Sequence, residues 1–120
     1  MKKILLIAFL AIIAGSCDQN KKTDQSPATK ADYPQWVKEM MSSFEKENAH
    51  AEILQYTYNG KTVFMVSMCY QCPDAIDAVY DENNNVLCQF GGIDGRNTCP
   101  DFDQKASDKK IVWRNKNFQY

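Results

Sequence analysis

The pair Asn59-Gly60, in the middle of the chain, constrains the fold more than any other feature of the sequence. A type I′ turn requires positive φ at both central residues, and Asn-Gly accepts that backbone geometry readily. Before the pair, residues 54–58 alternate between apolar and polar side chains, and after it residues 63–68 are mainly apolar. This period of two is typical of β-strands, so the sequence predicts an antiparallel hairpin.

The position of the turn also predicts which side chains share a face of the hairpin. Tyr56 is expected opposite Val63, and Leu54 opposite Met65. The other face then carries Ile53, Phe64 and Val66. Because both faces are partly apolar, we expect that a single helix does not cover both, and the uncovered side is a candidate for partner binding.

An amphipathic helix is predicted before the hairpin, over residues 34–48. Pro34 suits the first turn because its missing N–H would be unpaired there, with Asp32 or Tyr33 as the cap. One helical face collects the apolar residues Trp36, Val37, Met40, Met41 and Phe44. The expected fold class is therefore α+β, with one N-terminal amphipathic helix packed on a small antiparallel β-sheet of hairpins.

A second hairpin and a last strand follow. The segments 78–80 and 86–88 flank a stretch of acids and asparagines at 81–85, a glycine-rich tight loop is expected at 91–95, and residues 110–114 have a strand pattern. The acidic stretch superficially resembles the start of a calcium loop. The EF-hand pattern fails there, because Val86 and Gly92 stand where that pattern needs glycine and glutamate.

The N-terminus predicts export and lipidation. Two lysines precede eleven apolar residues, 4–14, which is the length of a signal-peptide core and too short for a membrane span of about 20 residues. Small residues lead into Cys17, as in the lipobox of bacterial lipoproteins. We therefore expect residues 1–16 to be a signal peptide, and Cys17 to be lipidated and to anchor the protein to a membrane of the cell envelope, on its periplasmic side or at the cell surface.

Charge and composition bound the rest of the chain. The segment 17–33 is polar and is expected to be a flexible tether, which leaves 34–120 as a single small domain. The chain has 14 basic and 15 acidic residues, and cleavage before Cys17 would remove two of the lysines, leaving a formal charge of −3. A nucleic-acid partner is not expected because no basic stripe is present.

Apart from Cys17, the chain has four cysteines: Cys69, Cys72, Cys88 and Cys99. An even number in a small exported domain favours disulfides. A zinc site would need a second close pair, and only His50 could substitute, so no metal or other cofactor is expected. Bonds from Cys69 to Cys88 and from Cys72 to Cys99 are preferred, because closing long loops constrains the unfolded chain more than closing Cys69 to Cys72.

Several motifs together carry a resemblance to a family. They are Pro34-x-Trp36, the Cys69/Cys72 cluster, Val79-Tyr80-Asp81, Val86-Leu87-Cys88, Gly91-Gly92-Ile93-x-Gly95, Cys99-Pro100-Asp101-Phe102 and Ile111-Val112-Trp113. Over about residues 34–115 the chain resembles small lipoproteins of the Bacteroidetes type, a family without an established activity. The resemblance implies an exported lipoprotein and transfers no catalytic residue. Where those proteins often have an acidic Gly-Asp-Gly, this chain has residues 95–98, Gly-Arg-Asn-Thr, which makes a cation site in that loop doubtful.

The residues favour a non-catalytic binding or inhibitory module of the envelope over an enzyme, with an envelope protein as its possible partner. His50 has no nucleophile beside it in the sequence and is expected at the surface. The acid pairs Asp74/Asp77 and Asp101/Asp103 could act in proton transfer only if folding gathers them in a cleft. The alternative is a thiol-disulfide oxidoreductase using Cys69 and Cys72, which a bond between these two cysteines near the surface would favour.

Overall fold

The computed structural model describes residues 32–117 and consists of an antiparallel sheet with one long helix on one face. The helix α1 is Gln35–Glu47, and it precedes strands β1 (Glu52–Tyr58), β2 (Lys61–Ser67), β3 (Ile76–Tyr80), β4 (Val86–Gly91) and β5 (Arg96–Asn97). The short helix α2 (Phe102–Lys105) then leads to β6 (Ser107–Arg114). The predicted combination of a helix and an antiparallel sheet is confirmed.

The first hairpin has the predicted turn and register. Asn59 and Gly60 both have positive φ, at 50° and 75°. Tyr56 pairs with Val63 and Leu54 with Met65, as expected. The second hairpin, β3–β4, also lies where it was predicted, and Gly91, Gly92 and Gly95 have positive φ in the tight loop that follows.

The helix differs from the prediction at its start and in its place in the chain. Pro34 is the N-cap itself, in an extended conformation, and its carbonyl oxygen accepts the N–H groups of Val37 and Lys38. The predicted cap by Asp32 or Tyr33 is therefore wrong, and no side chain caps this end. Since α1 begins at Gln35, it is the first long element of the described residues and is not at the N-terminus of the chain.

One face of the sheet packs on α1. Val37, Met41 and Phe44 are buried as the helical pattern predicted, while Trp36 and Met40 are partly buried at the margin of the same cluster. Their partners on the sheet are Ile53, Phe64 and Val66. This cluster is the larger of two cores.

The second core corrects the expectation of an uncovered face. The strand order is β5-β4-β3-β2-β1-β6, so the chain must travel from one edge of the sheet to the other after β5. On that path α2 places the ring of Phe102 against Tyr56, Tyr58 and Phe90, at centroid distances of 5.0 to 5.3 Å. Much of the face that the first hairpin leaves apolar is therefore covered by the crossing segment.

Candidate functional site

Each disulfide joins two cysteines that follow one another in the sequence. Cys69 is bonded to Cys72, with Cα atoms 5.5 Å apart, and Cys88 to Cys99, with Cα atoms 5.6 Å apart. The predicted bonds from Cys69 to Cys88 and from Cys72 to Cys99 are wrong. Loop-closure entropy favoured them, but a disulfide needs Cα atoms within about 7 Å, and the strand pairing decides which cysteines approach that closely.

The two disulfides have different surroundings. Cys88 is 2% exposed and lies in the second core beside Val79 and Phe102, so its bond to Cys99 holds the crossing segment to the sheet. Cys69 and Cys72 lie beyond the end of β2 and are both half-buried. The Cys88–Cys99 bond therefore joins a buried cysteine to a half-buried one, whereas both cysteines of the Cys69–Cys72 bond are half-buried.

The loop between Cys69 and Cys72 is a tight turn. The Cys72 N–H donates to the Cys69 carbonyl at 3.1 Å, and the Ala75 N–H donates to the Cys72 carbonyl at 3.2 Å. Gln71 has a φ of 71°, in the left-handed region, and its side chain is exposed. The disulfide closes the fourteen-membered ring that every bonded Cys-x-x-Cys pair forms. This ring lies at one end of the sheet.

His50 lies against this pair. Its Nδ1 atom is 3.6 Å from Cys69 Sγ, and the ring of Tyr70 packs on the imidazole at a centroid distance of 4.5 Å. The Tyr70 N–H donates to the His50 carbonyl at 3.2 Å, which ties the two segments together. The ligating atoms of His50, Cys69 and Cys72 all lie within 4.8 Å of one another, so these residues could hold a metal ion.

The sequence contained a signal for this contact that the prediction of a surface histidine missed. The β1–β2 register pairs Glu52 with Ser67. Continuing it two residues beyond the strand ends places His50 opposite Cys69. The same Asn59-Gly60 turn that predicted the hairpin therefore also indicated the histidine–cysteine contact.

A row of cross-strand neighbours runs across the sheet from β6 to β4, beside the disulfide turn. Arg114 pairs with Glu52, Glu52 with Ser67, Ser67 with Asp77, and Asp77 with Phe90. The side chain of Glu52 is only 10% exposed and forms an ion pair with Arg114. The Arg114 guanidinium also lies 5.2 Å from the Tyr70 ring centroid, in a cation–π arrangement.

This row forms part of a cleft of about 460 Å³ that the two cysteines and Pro73 also line. Asp77 Oδ1 is buried and, within residues 32–117, has no hydrogen-bond partner. A buried carboxylate oxygen without a partner is costly, and a donor from a bound molecule would offset that cost. The cleft therefore combines an apolar wall at Phe90, charged groups and a disulfide.

The structure separates the members of the two acid pairs that the sequence singled out. Asp101 accepts hydrogen bonds from Lys105 and Tyr58, which lower the pKa of its carboxyl group, and the bond to Asp101 raises the pKa of Tyr58. Asp103 is exposed, and of the pair Asp74/Asp77 only Asp77 lies in the cleft. Neither acid pair forms a proton-transfer site by itself.

The turn that resembled a calcium loop is likewise structural. Asp81 Oδ1 accepts the backbone N–H groups of Asn83 and Asn85 at 2.8 and 2.9 Å, and its Oδ2 accepts the Asn85 side-chain amide at 2.8 Å. These donors lower the pKa of Asp81, the largest effect coming from the Asn85 side chain. The carboxylate thus organises its own turn.

Comparison with known proteins places the chain in a family. Residues 39–115 match the family described as a domain of unknown function, DUF6970. The chain belongs to this family. The matched region includes His50, all four cysteines of the two disulfides and the whole row from Arg114 to Phe90, and no curated protein or solved structure matches the chain.

Proposed function

We propose that this DUF6970 protein is an exported, membrane-anchored lipoprotein whose Cys69–Cys72 pair performs thiol–disulfide exchange. The observation that carries the proposal is the contact of 3.6 Å between His50 Nδ1 and Cys69 Sγ at a surface Cys-x-x-Cys disulfide. A cysteine becomes a nucleophile as its thiolate, and a neighbouring histidine favours that form. The residues alone favoured a non-catalytic module, and a Cys69–Cys72 bond near the surface was the feature expected to favour exchange.

The exchange reaction requires only these two cysteines and a substrate disulfide. In the reduced protein, the Cys69 proton passes to His50, and the Cys69 thiolate attacks one sulfur of the substrate disulfide. A mixed disulfide forms while the other substrate sulfur leaves and is protonated. Cys72 then attacks Cys69 Sγ, which releases the second substrate thiol and forms the Cys69–Cys72 bond. Two protein thiols are oxidised and one substrate disulfide is reduced, and the reverse sequence oxidises a substrate dithiol.

The cleft beside the pair supports a peptide-like substrate. Its volume of about 460 Å³ accommodates a few side chains rather than a whole domain. Arg114 and Asp77 offer one donor group and one acceptor atom to a bound chain, and Phe90 and Pro73 offer apolar contact. A cysteine-containing segment of an envelope protein fits this combination.

The envelope location is supported by the N-terminal sequence. Residues 1–31 lie outside the described residues, so the signal peptide, lipidated Cys17 and most of the tether are proposals that rest on the motif. Among residues 32–117, no helix is both long enough and apolar enough to cross a membrane. Attachment through acyl chains on Cys17 would place the cleft near a membrane surface at the end of a polar tether.

The proposed function is tested by equilibrating the protein with mixtures of reduced and oxidised glutathione, blocking free thiols and mapping them by mass spectrometry. Cys69 and Cys72 should be reduced together as the share of reduced glutathione rises, while Cys88 and Cys99 stay bonded. In the Cys72→Ser variant, glutathione should remain attached to Cys69 because no second thiol can release it. His50→Asn in that background should slow attachment at neutral pH by about tenfold, since less thiolate is present.

A Cys69–Cys72 bond as resistant to glutathione as Cys88–Cys99 would contradict thiol exchange. That result would return the non-catalytic binding module to first place, because the cleft and its buried carboxylate oxygen would still need an occupant. Binding of envelope proteins to a variant lacking Cys69 and Cys72 would then measure the module directly. Undiminished binding by that variant would indicate that binding does not require the disulfide.

A further inference from the structure

We infer that the reduced form of this protein binds one zinc ion through Cys69 Sγ, Cys72 Sγ and His50 Nδ1. The inference rests on the proposed function in one respect, since the Cys69–Cys72 bond must open reversibly for the thiolates to be available. The site would therefore be loaded only in the reduced protein and would be empty of zinc when the disulfide forms.

The distances fit zinc. In tetrahedral coordination, a Zn–S bond of about 2.3 Å and a Zn–N bond of about 2.1 Å place nitrogen and sulfur ligands about 3.6 Å apart. His50 Nδ1 and Cys69 Sγ are 3.6 Å apart in the structure. The remaining ligand atom also lies within 4.8 Å of both.

The third ligand needs only a side-chain rotation. Two zinc-bound thiolates lie about 3.8 Å apart, and Cys-x-x-Cys turns are a common source of such pairs. The Cα atoms of Cys69 and Cys72 are 5.5 Å apart, so opening the disulfide allows this separation without movement of the backbone. The hydrogen bond from the Cys72 N–H to the Cys69 carbonyl keeps the turn in place meanwhile.

The histidine is already held in position by its neighbours. The Tyr70 ring packs on the imidazole at 4.5 Å, and the Tyr70 N–H donates to the His50 carbonyl. Support of this kind reduces the entropy lost when a metal binds, and loss of such support typically weakens a site by about 10 to 100-fold. His50 thus precedes β1 and the two cysteines follow β2, so all three ligands lie at the open end of one hairpin.

The charges also balance. Two thiolates and a neutral imidazole around Zn²⁺ form a site with no net charge, which limits the cost of partial burial. Three protein ligands leave a fourth position for water or for a group from the adjoining cleft, which the two cysteines line. A thiolate from a substrate is one such group.

Bound zinc and the Cys69–Cys72 disulfide bond then exclude each other. Binding of Zn²⁺ to the two thiols and His50 releases two protons. Oxidation by a substrate disulfide, with uptake of two protons, forms the Cys69–Cys72 bond, two substrate thiols and free Zn²⁺. The inference predicts that the redox state of the pair controls the metal.

The test uses the full chain, reduced under conditions in which a thiol titration counts two more thiols than in the oxidised protein. Native mass spectrometry should find one zinc per reduced chain and none per oxidised chain. Replacing zinc with Co²⁺ should produce a thiolate-to-cobalt charge-transfer band. X-ray absorption at the zinc edge should find two sulfur ligands and one imidazole, which identifies His50 because the chain has one histidine.

Matched variants complete the test. His50→Ala should weaken zinc binding at least about tenfold in competition with a chromophoric chelator, and Cys69→Ser should abolish the charge-transfer band. Asp74→Asn, at an exposed acid two residues after Cys72, should bind like the unmodified protein. Circular dichroism confirms that each variant is folded, so that a loss of zinc is assigned to a lost ligand.

The zinc inference is overturned if the reduced protein binds no zinc, or if the oxidised protein and the cysteine variants bind it equally well. Exchange with glutathione but no zinc would remove the metal site and leave the proposed function standing. Zinc bound by a chemically reduced pair that does not exchange with glutathione would support the site and remove the proposed function.

Discussion

At the scale of single residues, Trp36 joins the helix to two strands and a turn. Its indole ring contacts Phe64 edge-on at a centroid distance of 5.6 Å and Tyr80 at 5.5 Å, and its Nε1–H donates to the Glu82 carbonyl at 3.0 Å. The side chain is only partly buried, yet it contacts β2, β3 and the turn that follows β3.

We predict that Trp36→Ala lowers the free energy of unfolding by about 3 kcal/mol, because aromatic truncation removes apolar burial and leaves a cavity. The measurement is urea denaturation followed by circular dichroism. Gln35→Ala, at the exposed neighbouring position, is the control and should change stability by less than about 0.5 kcal/mol. Equal midpoints for the two variants would mean that α1 does not pack on the sheet as described.

Gly91 holds the disulfide turn against the second hairpin. It has a φ of 86°, and a Cβ atom there would lie 2.2 Å from the Ala75 carbonyl oxygen. That same oxygen accepts the Gly92 N–H at 3.0 Å. No side chain fits between β4 and the end of the segment that carries Cys72.

We predict that Gly91→Ala destabilises the protein by more than about 2 kcal/mol, since it combines left-handed strain with a clash against rigid backbone. Gly95→Ala is the matched control: its φ of 62° gives similar strain, but no atom lies within 4 Å of the added Cβ. Thermal unfolding of the two variants separates the clash from the strain. A Gly95→Ala variant as unstable as Gly91→Ala would show that the close approach is unimportant.

At the scale of elements, the β3–β4 hairpin depends on the carboxylate of Asp81. Three donors from Asn83 and Asn85 surround it and lower its pKa. A carboxyl group with a pKa below its unfolded value stabilises the folded state above that unfolded value, about 3.9. Its contribution is lost as the pH falls further through the folded-state pKa.

We therefore predict that Asp81→Ala lowers the melting temperature at pH 7, and that the difference from the unmodified protein shrinks as the pH falls below about 3.9. Melting temperatures measured from pH 7 to pH 2 test this. Glu82→Ala, at the exposed next residue, keeps the carbonyl that Trp36 contacts and should show no such pH-dependent difference. A constant Asp81→Ala difference at all pH values would contradict a role for the charged carboxylate.

At the scale of the whole molecule, the two disulfides close loops of different length in different surroundings. Cys88 and Cys99 are 11 residues apart in the sequence, and their bond anchors the segment that crosses the sheet. Cys69 and Cys72 are only 3 residues apart. In the chain-entropy model, these closures correspond to about 3 and about 2 kcal/mol. The Cys69–Cys72 bond is therefore expected to contribute less to stability than the Cys88–Cys99 bond.

We predict that replacing Cys88 and Cys99 together with alanine lowers stability by at least about 3 kcal/mol, because packing around Phe102 is disturbed as well. Replacing Cys69 and Cys72 with alanine should cost less. Guanidinium denaturation of both double variants gives the comparison. The opposite order of stabilities would assign the structural role to the surface bond.

The proposed lipid anchor is also a property of the whole molecule. We predict that Cys17→Ser abolishes labelling by radioactive palmitate and releases the protein from membranes or leaves its precursor uncut, because no other residue can take the acyl chains of a lipobox cysteine. Cell fractionation with the Cys69→Ser variant as control measures this. Continued lipid labelling of the Cys17→Ser protein would exclude the anchor proposed here.

Residue patterns in the sequence specify the elements that depend on neighbouring residues. Asn59-Gly60 specified a turn, and with it the register that sets Tyr56 opposite Val63. The 3.6-residue period specified which face of α1 is buried at Val37, Met41 and Phe44. Both predictions succeed because backbone sterics and side-chain period act over a few residues.

Which distant segments meet depends on the path of the whole chain through the fold. β6 pairs with β1 at the edge of the sheet, so the chain crosses the second face and brings Phe102 and Cys99 against β4. Cysteine pairing followed from the β4–β5 register, which places Cys99 opposite Cys88, and from the turn between Cys69 and Cys72. Loop entropy did not decide it, because a disulfide forms only where the fold has already brought two Cα atoms close. His50 lies opposite Cys69 through the β1–β2 register that the Asn59-Gly60 turn sets, so this contact is the part of the site that the sequence did indicate.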